Sequence, residues 1–349
     1  MLFQGISETF LCYTMSMTQN TCLRGVNLGG WLVLEKWMTP AFFADSDAVD
    51  EHTFMQTEHA IEKLMHHRDT FITEADWQWL AEHGIDIVRI PIGYWLLRPD
   101  GAYLEGIKYL DWAFAMAKKY NILVLIDLHG APGSQNGNDH SGKIGEAGWF
   151  DDDTAQAATI EILTELDERY RDSPQYWGLE LMNEPRTRMI QRTLRKFYRQ
   201  AAQRIDGARR IIFHDGFTPR LLSGALRHDP RSVMDVHLYH MASWVGGRMS
   251  AERFVAMCER WYGRLLQRIS RRQPIIIGEW SVVLKGESLE RYSGDEAWAL
   301  MQKFGQAQLA VYEQHALAWF YWNYKTEGRG TWNFRSLVED GFLELPPRK

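Results

Sequence analysis

Residues 122–130 read Ile122-Leu123-Val124-Leu125-Ile126-Asp127-Leu128-His129-Gly130: five apolar residues in a row, then Asp and His at alternate positions, then Gly. An apolar run with no polar alternation is the pattern of a strand covered on both faces, as in a parallel sheet. Its polar end places two titratable side chains on one face where the strand stops, because side chains alternate along a strand. Outward from this run the same pattern repeats. Apolar runs begin near Leu23, Ile85, Ile122, Trp177, Arg210, Val233, Pro274 and Ala316, eight in all, separated by segments of helical period such as Ile107 to Tyr120, Thr154 to Arg171 and Ala251 to Ile269. Eight βα units predict a closed α/β barrel, the (β/α)8 or TIM architecture, in a single domain over residues 21–349. An open doubly wound sheet alternates in the same way, but no Gly-x-Gly-x-x-Gly turn follows the first strand. The long connections, Gly29 to Thr73, Gly130 to Asp153 and Asn323 onward, are expected to line the mouth.

Composition narrows the function. At 45% hydrophobic and 24% charged residues the chain is that of a globular enzyme-sized domain. A net charge of -6 with mixed signs leaves no basic stripe for a phosphate backbone, so nucleic acid is excluded as a partner. No run approaches the roughly 20 apolar residues of a membrane span. Cys12, Cys22 and Cys258 are too few for a disulfide framework, and residues 1–20 lack the pattern of a signal peptide. A cytoplasmic, reducing location is expected over a secreted one. Leu2-Phe3-Gln4-Gly5 resembles the remnant of a cleavable tag, and residues 1–20 are read as an extension outside the fold. The 15 Trp and 14 Tyr exceed what a core needs, and flat aromatic faces are what sugar rings stack on.

In a barrel the chemistry sits at the C-terminal ends of the strands. Five apolar runs end in polar residues: Val88-Arg89-Ile90-Pro91, Asp127-Leu128-His129-Gly130, Met182-Asn183-Glu184-Pro185, Asp235-Val236-His237-Leu238-Tyr239 and Ile277-Gly278-Glu279-Trp280. Any one of these is ordinarily a solvated or structurally paired side chain. Together they would bury several charges at one mouth, which points to chemical use, a mutually paired structural network being the alternative reading. Two carboxylates facing a Trp-lined mouth suit glycoside hydrolysis, in which one carboxylic acid protonates the leaving oxygen and the other carboxylate attacks the anomeric carbon. A cation such as Arg89 beside one carboxylate is expected to keep it ionised, while a buried, neighbour-repelled carboxyl keeps its proton. The spacing alone does not say which Glu does which.

The ordered series Arg24-Gly25-Val26-Asn27-Leu28-Gly29-Gly30-Trp31, Val88 to Trp95, Asp127 to Gly137, Asn183-Glu184-Pro185 and Gly278-Glu279-Trp280-Ser281 resembles glycoside hydrolase family 5, the cellulase-like clan A barrels, and more narrowly its exo-β-1,3-glucanase branch, over nearly the whole chain. The resemblance implies a retaining β-glycosidase without metal or cofactor, acting by double displacement on a β-glucoside or β-glucan oligosaccharide. It implies Glu184 as acid/base and Glu279 as nucleophile, with Arg89 and Tyr239 tuning the nucleophile and His237 beside the acid/base. It further implies sugar contacts from His129, Asn183, Glu35 and Asn136, and a stacking platform at Trp322.

The chain departs from that branch where specificity is set. After Gly137 the fungal enzymes carry an aromatic and then Asp-Asn, whereas Asn138, Asp139 and His140 stand here, so the acceptor-side stacking wall is expected to be missing; Lys36-Trp37 replaces the usual Pro-Tyr. A β-1,3-glucan, a short β-glucoside, a β-1,6-glucan, a diglycoside or transglycosylation fits the same scaffold, with Trp149 and Trp244 expected on the far side of the mouth. A non-catalytic sugar-binding barrel would lack one of the two carboxylates. A metal-dependent hydrolase would use His129, His237 and His240, but His237 and His240 are three apart on a strand and point to opposite faces. His66-His67, in a polar helical stretch, is read as a solvated pair.

Overall fold

The computed structural model describes residues 22–186, 191–239, 250–284, 289–290 and 292–345. Within them eight parallel strands close in chain order: β1 Leu23–Asn27, β2 Ile87–Gly93, β3 Leu123–Gly130, β4 Tyr176–Glu180, β5 Ile211–His214, β6 Ser232–Leu238, β7 Ile275–Trp280 and β8 Ala318–Tyr321. β8 returns to β1 with Ala318 opposite Leu23. The architecture is the predicted (β/α)8 barrel, and every strand starts within two residues of its expected position. Strand ends are less well placed. The β4 ladder stops at Glu180, so Asn183 and Glu184 lie just beyond it, as Tyr239 and Trp322 lie just beyond β6 and β8.

Outward-facing strand residues such as Val88, Ile90, Ile126, Leu128, Val236 and Ile277 join the helices in the main core. The helix Ile107–Tyr120 shows why it packs: Tyr109, Leu110, Ala113, Phe114 and Ala117 form one buried stripe, and Asn121 ends it in the left-handed conformation. The expected Thr154 helix runs Asp153–Tyr170, its first turn capped by the Asp152 carboxylate accepting from the Thr154 and Ala155 amides. The expected helix from Ala251 to Ile269 is two α-helical stretches, Ala251–Met257 and Gly263–Ser270, joined by a π turn at Cys258–Tyr262.

The long connection after β1 is itself structured, and this corrects the reading of the histidine pair. In the helix Ala60–Thr70, Ala60, Leu64, His67 and Arg68 share the buried stripe, so only His66 of the pair faces water. Burial pushes His67 down to about 4. It is therefore neutral, and its Nε2–H donates to the Gly30 carbonyl at 2.7 Å. Beside it, buried Arg68 pairs with buried Glu51 at 3.2 Å. Glu51 also accepts from the Trp95 indole at 2.9 Å and the Leu34 amide at 2.9 Å. This knot fixes the backbone immediately before Glu35.

Candidate active site

The upper interior of the barrel is organised around Arg89. Its guanidinium, fully buried, donates to Glu180 Oε2 at 2.8 Å, Asn27 Oδ1 at 2.9 Å, Glu279 Oε1 at 3.1 Å and Asn183 Oδ1 at 2.9 Å, and lies 3.1 Å from Asp127 Oδ2. Five donors in a rigid fork suit one residue holding several carboxylates. Because Arg89 engages Asn183 through the amide oxygen, the Asn183 nitrogen is turned toward the cavity.

Glu279 accepts at both oxygens, Oε1 from Arg89 and Oε2 from the Tyr239 hydroxyl at 2.8 Å. Glu184 is delivered differently. Its backbone sits at φ 39, a left-handed conformation costly for a non-glycine residue, which persists only where the surroundings impose it. The Asn183 amide donates to Leu128 O at 3.0 Å, and the Asn136 side chain donates to Glu184 O at 3.1 Å.

His237 joins the two. Its Nδ1 lies 2.7 Å from Glu184 Oε1 and 3.5 Å from Glu279 Oε2, and its Nε2 lies 3.3 Å from Asp235 Oδ2. Asp235 is held in turn by the Gly278 amide at 2.7 Å. A Cβ at position 278 would stand 1.9 Å from Asp235 Oδ2, so only glycine permits this approach. Since both carboxylates reach one ring nitrogen, their nearest oxygens are closer than the roughly 6.5–9.5 Å that an inverting pair keeps for its water.

The protonation pattern differs from the expected one. Burial works against charging His237, but the carboxylates of Glu279, Asp235 and Glu184 outweigh it and hold the ring as an imidazolium well above its ordinary range. Burial likewise would raise Glu184, yet the hydrogen bond and charge of His237, with His140 and His214 nearby, bring it below the usual carboxylate range. Asp235 is brought down to about 2, burial again being overcome by His237 and Arg89. Glu279, although Arg89 touches it, is pushed up by burial and by the charge of Glu184. The shared proton thus sits on His237, one hydrogen bond away from Glu184. Glu35 is raised well above its ordinary value by burial and by Asp139.

Together Glu35, Trp37, His129, His140, Asn183, Glu184, Tyr239, Glu279, Trp322 and Trp332 line a cavity of about 260 Å3. Trp322 is parallel to the His129 ring within 7°, and His129 Nδ1 is fixed by Asp127 at 2.6 Å. The Glu35 carboxylate accepts from the Trp37 indole at 2.8 Å, and Trp37 meets Trp332 edge to face at 5.3 Å. Of the residues singled out by sequence, Glu35, His129, Asn183, Glu184, Tyr239, Glu279 and Trp322 meet in this cavity. Arg89 and His237 stand behind its wall, and Asn136 is spent on the Glu184 backbone rather than on the cavity. Trp149, expected at the mouth, is fully buried against Phe150 and Phe197, its indole donating to Thr159. Trp244 and His240 lie outside the described residues. His140 and Trp332 also line it; the connections that carry them were expected at the mouth, but no strand pattern says which of their residues turn inward.

Among the described residues, two groups have donor atoms close enough to hold a cation: Glu184 with His214 and His237, and Glu180 with Asp235 and His237. Both run through His237, whose two ring nitrogens already face Glu184 and Asp235.

Residues 49–328 match the cellulase model of glycosyl hydrolase family 5. The chain is 35% identical over 381 residues to a probable glucan 1,3-β-glucosidase A of Emericella nidulans, covering 95% of this chain and 92% of that protein. It is 32% identical over 384 residues to a glucan 1,3-β-glucosidase of Blumeria graminis, covering 94% and 88%. Among solved structures it is similar to AoRut, with a TM-score of 0.80 and 25% identity over 93% of this chain and 97% of that one. It shares its fold with a rutinosidase from Aspergillus niger, TM-score 0.78 and 23% identity, covering 92% and 98%.

Proposed function

The chain belongs to glycosyl hydrolase family 5, and we propose that this O-glycosyl hydrolase releases glucose units from a β-glucan or short β-glucoside, with Glu279 as nucleophile and Glu184 as acid/base. The observation that carries the assignment is the asymmetry of the two carboxylates. Both oxygens of Glu279 are held by donors, Arg89 and Tyr239, which aim it and stabilise its charge as it attacks. Glu184 instead abuts the imidazolium of His237, which hands a proton to its near oxygen over a 2.7 Å hydrogen bond, and a turn of the carboxyl then presents that proton to the cavity.

The sugar to be cleaved off stacks on Trp322. Asn183 Nδ2, turned to the cavity by Arg89, offers a donor to a ring hydroxyl, and Glu35 and His129 offer further partners. Attack by Glu279 forms the glycosyl–carboxylate bond while Glu184 protonates the departing oxygen. Glu279 is then neutral, its repulsion of Glu184 ends, and Glu184 takes the proton of the water that frees the sugar with retained configuration. The cavity volume, about 260 Å3, lies below the roughly 300–1,000 Å3 of common ligand pockets. That space holds about one sugar ring beside the two carboxylates, which favours exo action as the first reading to test. The fungal relatives' names support β-1,3-linked glucan as the first substrate to test.

The test is hydrolysis of an aryl β-glucoside, laminaribiose, gentiobiose and cellobiose by wild type, Glu184→Gln and Glu279→Gln, with the released anomer followed by NMR. The expected outcome is β-glucose first, with Glu279→Gln losing about 10,000-fold or more in kcat on every substrate. Release of the α anomer, or substantial turnover by Glu279→Gln, would overturn the assignment.

A further inference from the structure

The two oxygens of Glu184 have different neighbours. Oε1 is committed to His237 at 2.7 Å, whereas Oε2 faces His140, whose Nε2 is 3.6 Å away. That gap is too long for a direct hydrogen bond. His140 therefore stands beside the oxygen that makes no hydrogen bond among the described residues and can meet a leaving group. The ring is only 15% exposed, lies 5.3 Å from the His129 ring, and has Asn183 Nδ2 at 3.4 Å from Nδ1 and Asn138 Nδ2 at 3.2 Å from Nε2.

Its position is imposed by the loop that carries it. A 3-10 turn at Asp139–Ser141 is tied to the loop by Ser141 Oγ, 2.7 Å from Ser134 Oγ and 2.7 Å from Asn138 O. It is tied to the connection after β1 by the His52 amide donating to Gly142 O at 3.0 Å and by the Ile144 amide donating to Asp50 Oδ2 at 2.7 Å. A histidine fixed this firmly from two sides, in a cavity, beside a carboxylate it does not directly bond, is placed for a third party between them. The charged and titratable groups around it are Glu184, Asp139, His129 and His237; burial pushes the ring down, against the two carboxylates, which favours the neutral form that can both donate and accept.

We propose that His140 is a positioning residue for the leaving-group side of the reaction, confining Oε2 of Glu184 and the departing oxygen to one line of proton transfer and replacing a stacking wall with a hydrogen-bonding edge. The proposal rests on Glu184 being the acid/base. It implies that His140 matters only for bonds that need a proton in order to break.

The experiment compares kcat/KM for 2,4-dinitrophenyl β-glucoside, whose leaving phenolate departs unprotonated, with that for laminaribiose or whichever disaccharide the wild type cleaves. The variants are Glu184→Gln, His140→Phe, His140→Ala and His140→Gln, each checked for an unchanged melting temperature. His140→Phe and His140→Ala are expected to lose about tenfold on the disaccharide and less than about twofold on the dinitrophenyl glucoside. His140→Gln, which keeps a hydrogen-bonding edge, is expected to restore most of the loss. Equal losses on both substrates, or none on either, overturn the proposal while a selective loss in Glu184→Gln leaves the acid/base assignment standing. If Glu184→Gln itself does not discriminate between the two substrates, the acid/base assignment fails and this proposal falls with it.

Discussion

The two ends of the barrel interior are built on opposite principles from the same strands. At the lower end Ile87, Leu125, Trp177, Ile212, Val233, Ile276, Ala318 and Phe320 form a closed apolar cluster. Two residues further along several of the same strands the inward side chains become Arg89, Asp127, His214 and Asp235, all buried. The lower layer gains stability from area removed from water, and any well-shaped apolar residue can serve there. The upper layer holds charges whose desolvation is offset only by one another, so each depends on its partner's presence. One end is tolerant and the other is conditional.

The comparison is most severely tested at Arg89. Arg89→Met keeps most of the volume but leaves Asp127, Glu180 and Glu279 without their shared cation, and Asp127 Oδ1 and Glu180 Oε1 already lack a hydrogen-bond partner among the described residues. Removing one member of a buried charge network typically costs about 3–5 kcal/mol, and several carboxylates are stranded here, so about 5 kcal/mol is expected. Urea unfolding monitored by fluorescence measures it. A loss under about 1 kcal/mol would mean that the upper layer adjusts by taking up protons and is less conditional than argued.

At the other end Phe320→Ala sharpens the contrast. Gly25 makes room for this ring, since a Cβ there would stand 2.5 Å from Phe320 Cδ1, and its removal leaves a cavity at the barrel floor. The expected cost is about 4 kcal/mol of stability. Because no polar partner is lost, kcat/KM at 25 °C should remain within about twofold of wild type, and the shape of its pH profile should not change. A shifted pH profile would show that the two layers are coupled.

What could be read from the sequence follows the same division. Apolar runs identify strands, so the lower layer, the strand count and the strand starts are legible in residues such as Leu123 to Ile126. A polar residue that closes such a run is legible as a rim residue, which is how Glu184, Glu279, His237 and Tyr239 were found. Glu180 and Asn27 were not, because each is an isolated polar residue whose significance lies in a partner on another strand, Arg89 in both cases. His67 and Trp149 were misplaced because a helical stripe and a loop anchor depend on which side the rest of the fold covers. The location of the proton on His237 is a property of three carboxylates, on β6, on β7 and just beyond β4, acting together, and no spacing along the chain encodes it.

The smallest expected effect separates aiming from folding. Tyr239 reaches Glu279 Oε2 from just beyond the end of β6, and Tyr239→Phe removes that hydroxyl while keeping the ring and its contact with Trp332. A hydrogen bond to a charged group contributes about 1.5–3 kcal/mol, but Glu279 and Tyr239 both line the cavity, where a water molecule can take the place of the lost hydroxyl. Stability should therefore change by less than about 0.5 kcal/mol. Catalysis should fall by about tenfold to a hundredfold in kcat/KM, since a nucleophile held at one oxygen instead of two spends less time on the line of attack. The loss should be the same for a dinitrophenyl glucoside as for a disaccharide, because attack precedes or accompanies departure of either leaving group. That equality distinguishes Tyr239, which acts on the nucleophile, from His140, whose effect depends on the leaving group. A Tyr239→Phe variant that unfolds early but turns over normally would place the hydroxyl among the structural contacts of the upper layer and leave the aiming of Glu279 to Arg89 and the His237 ring beside it.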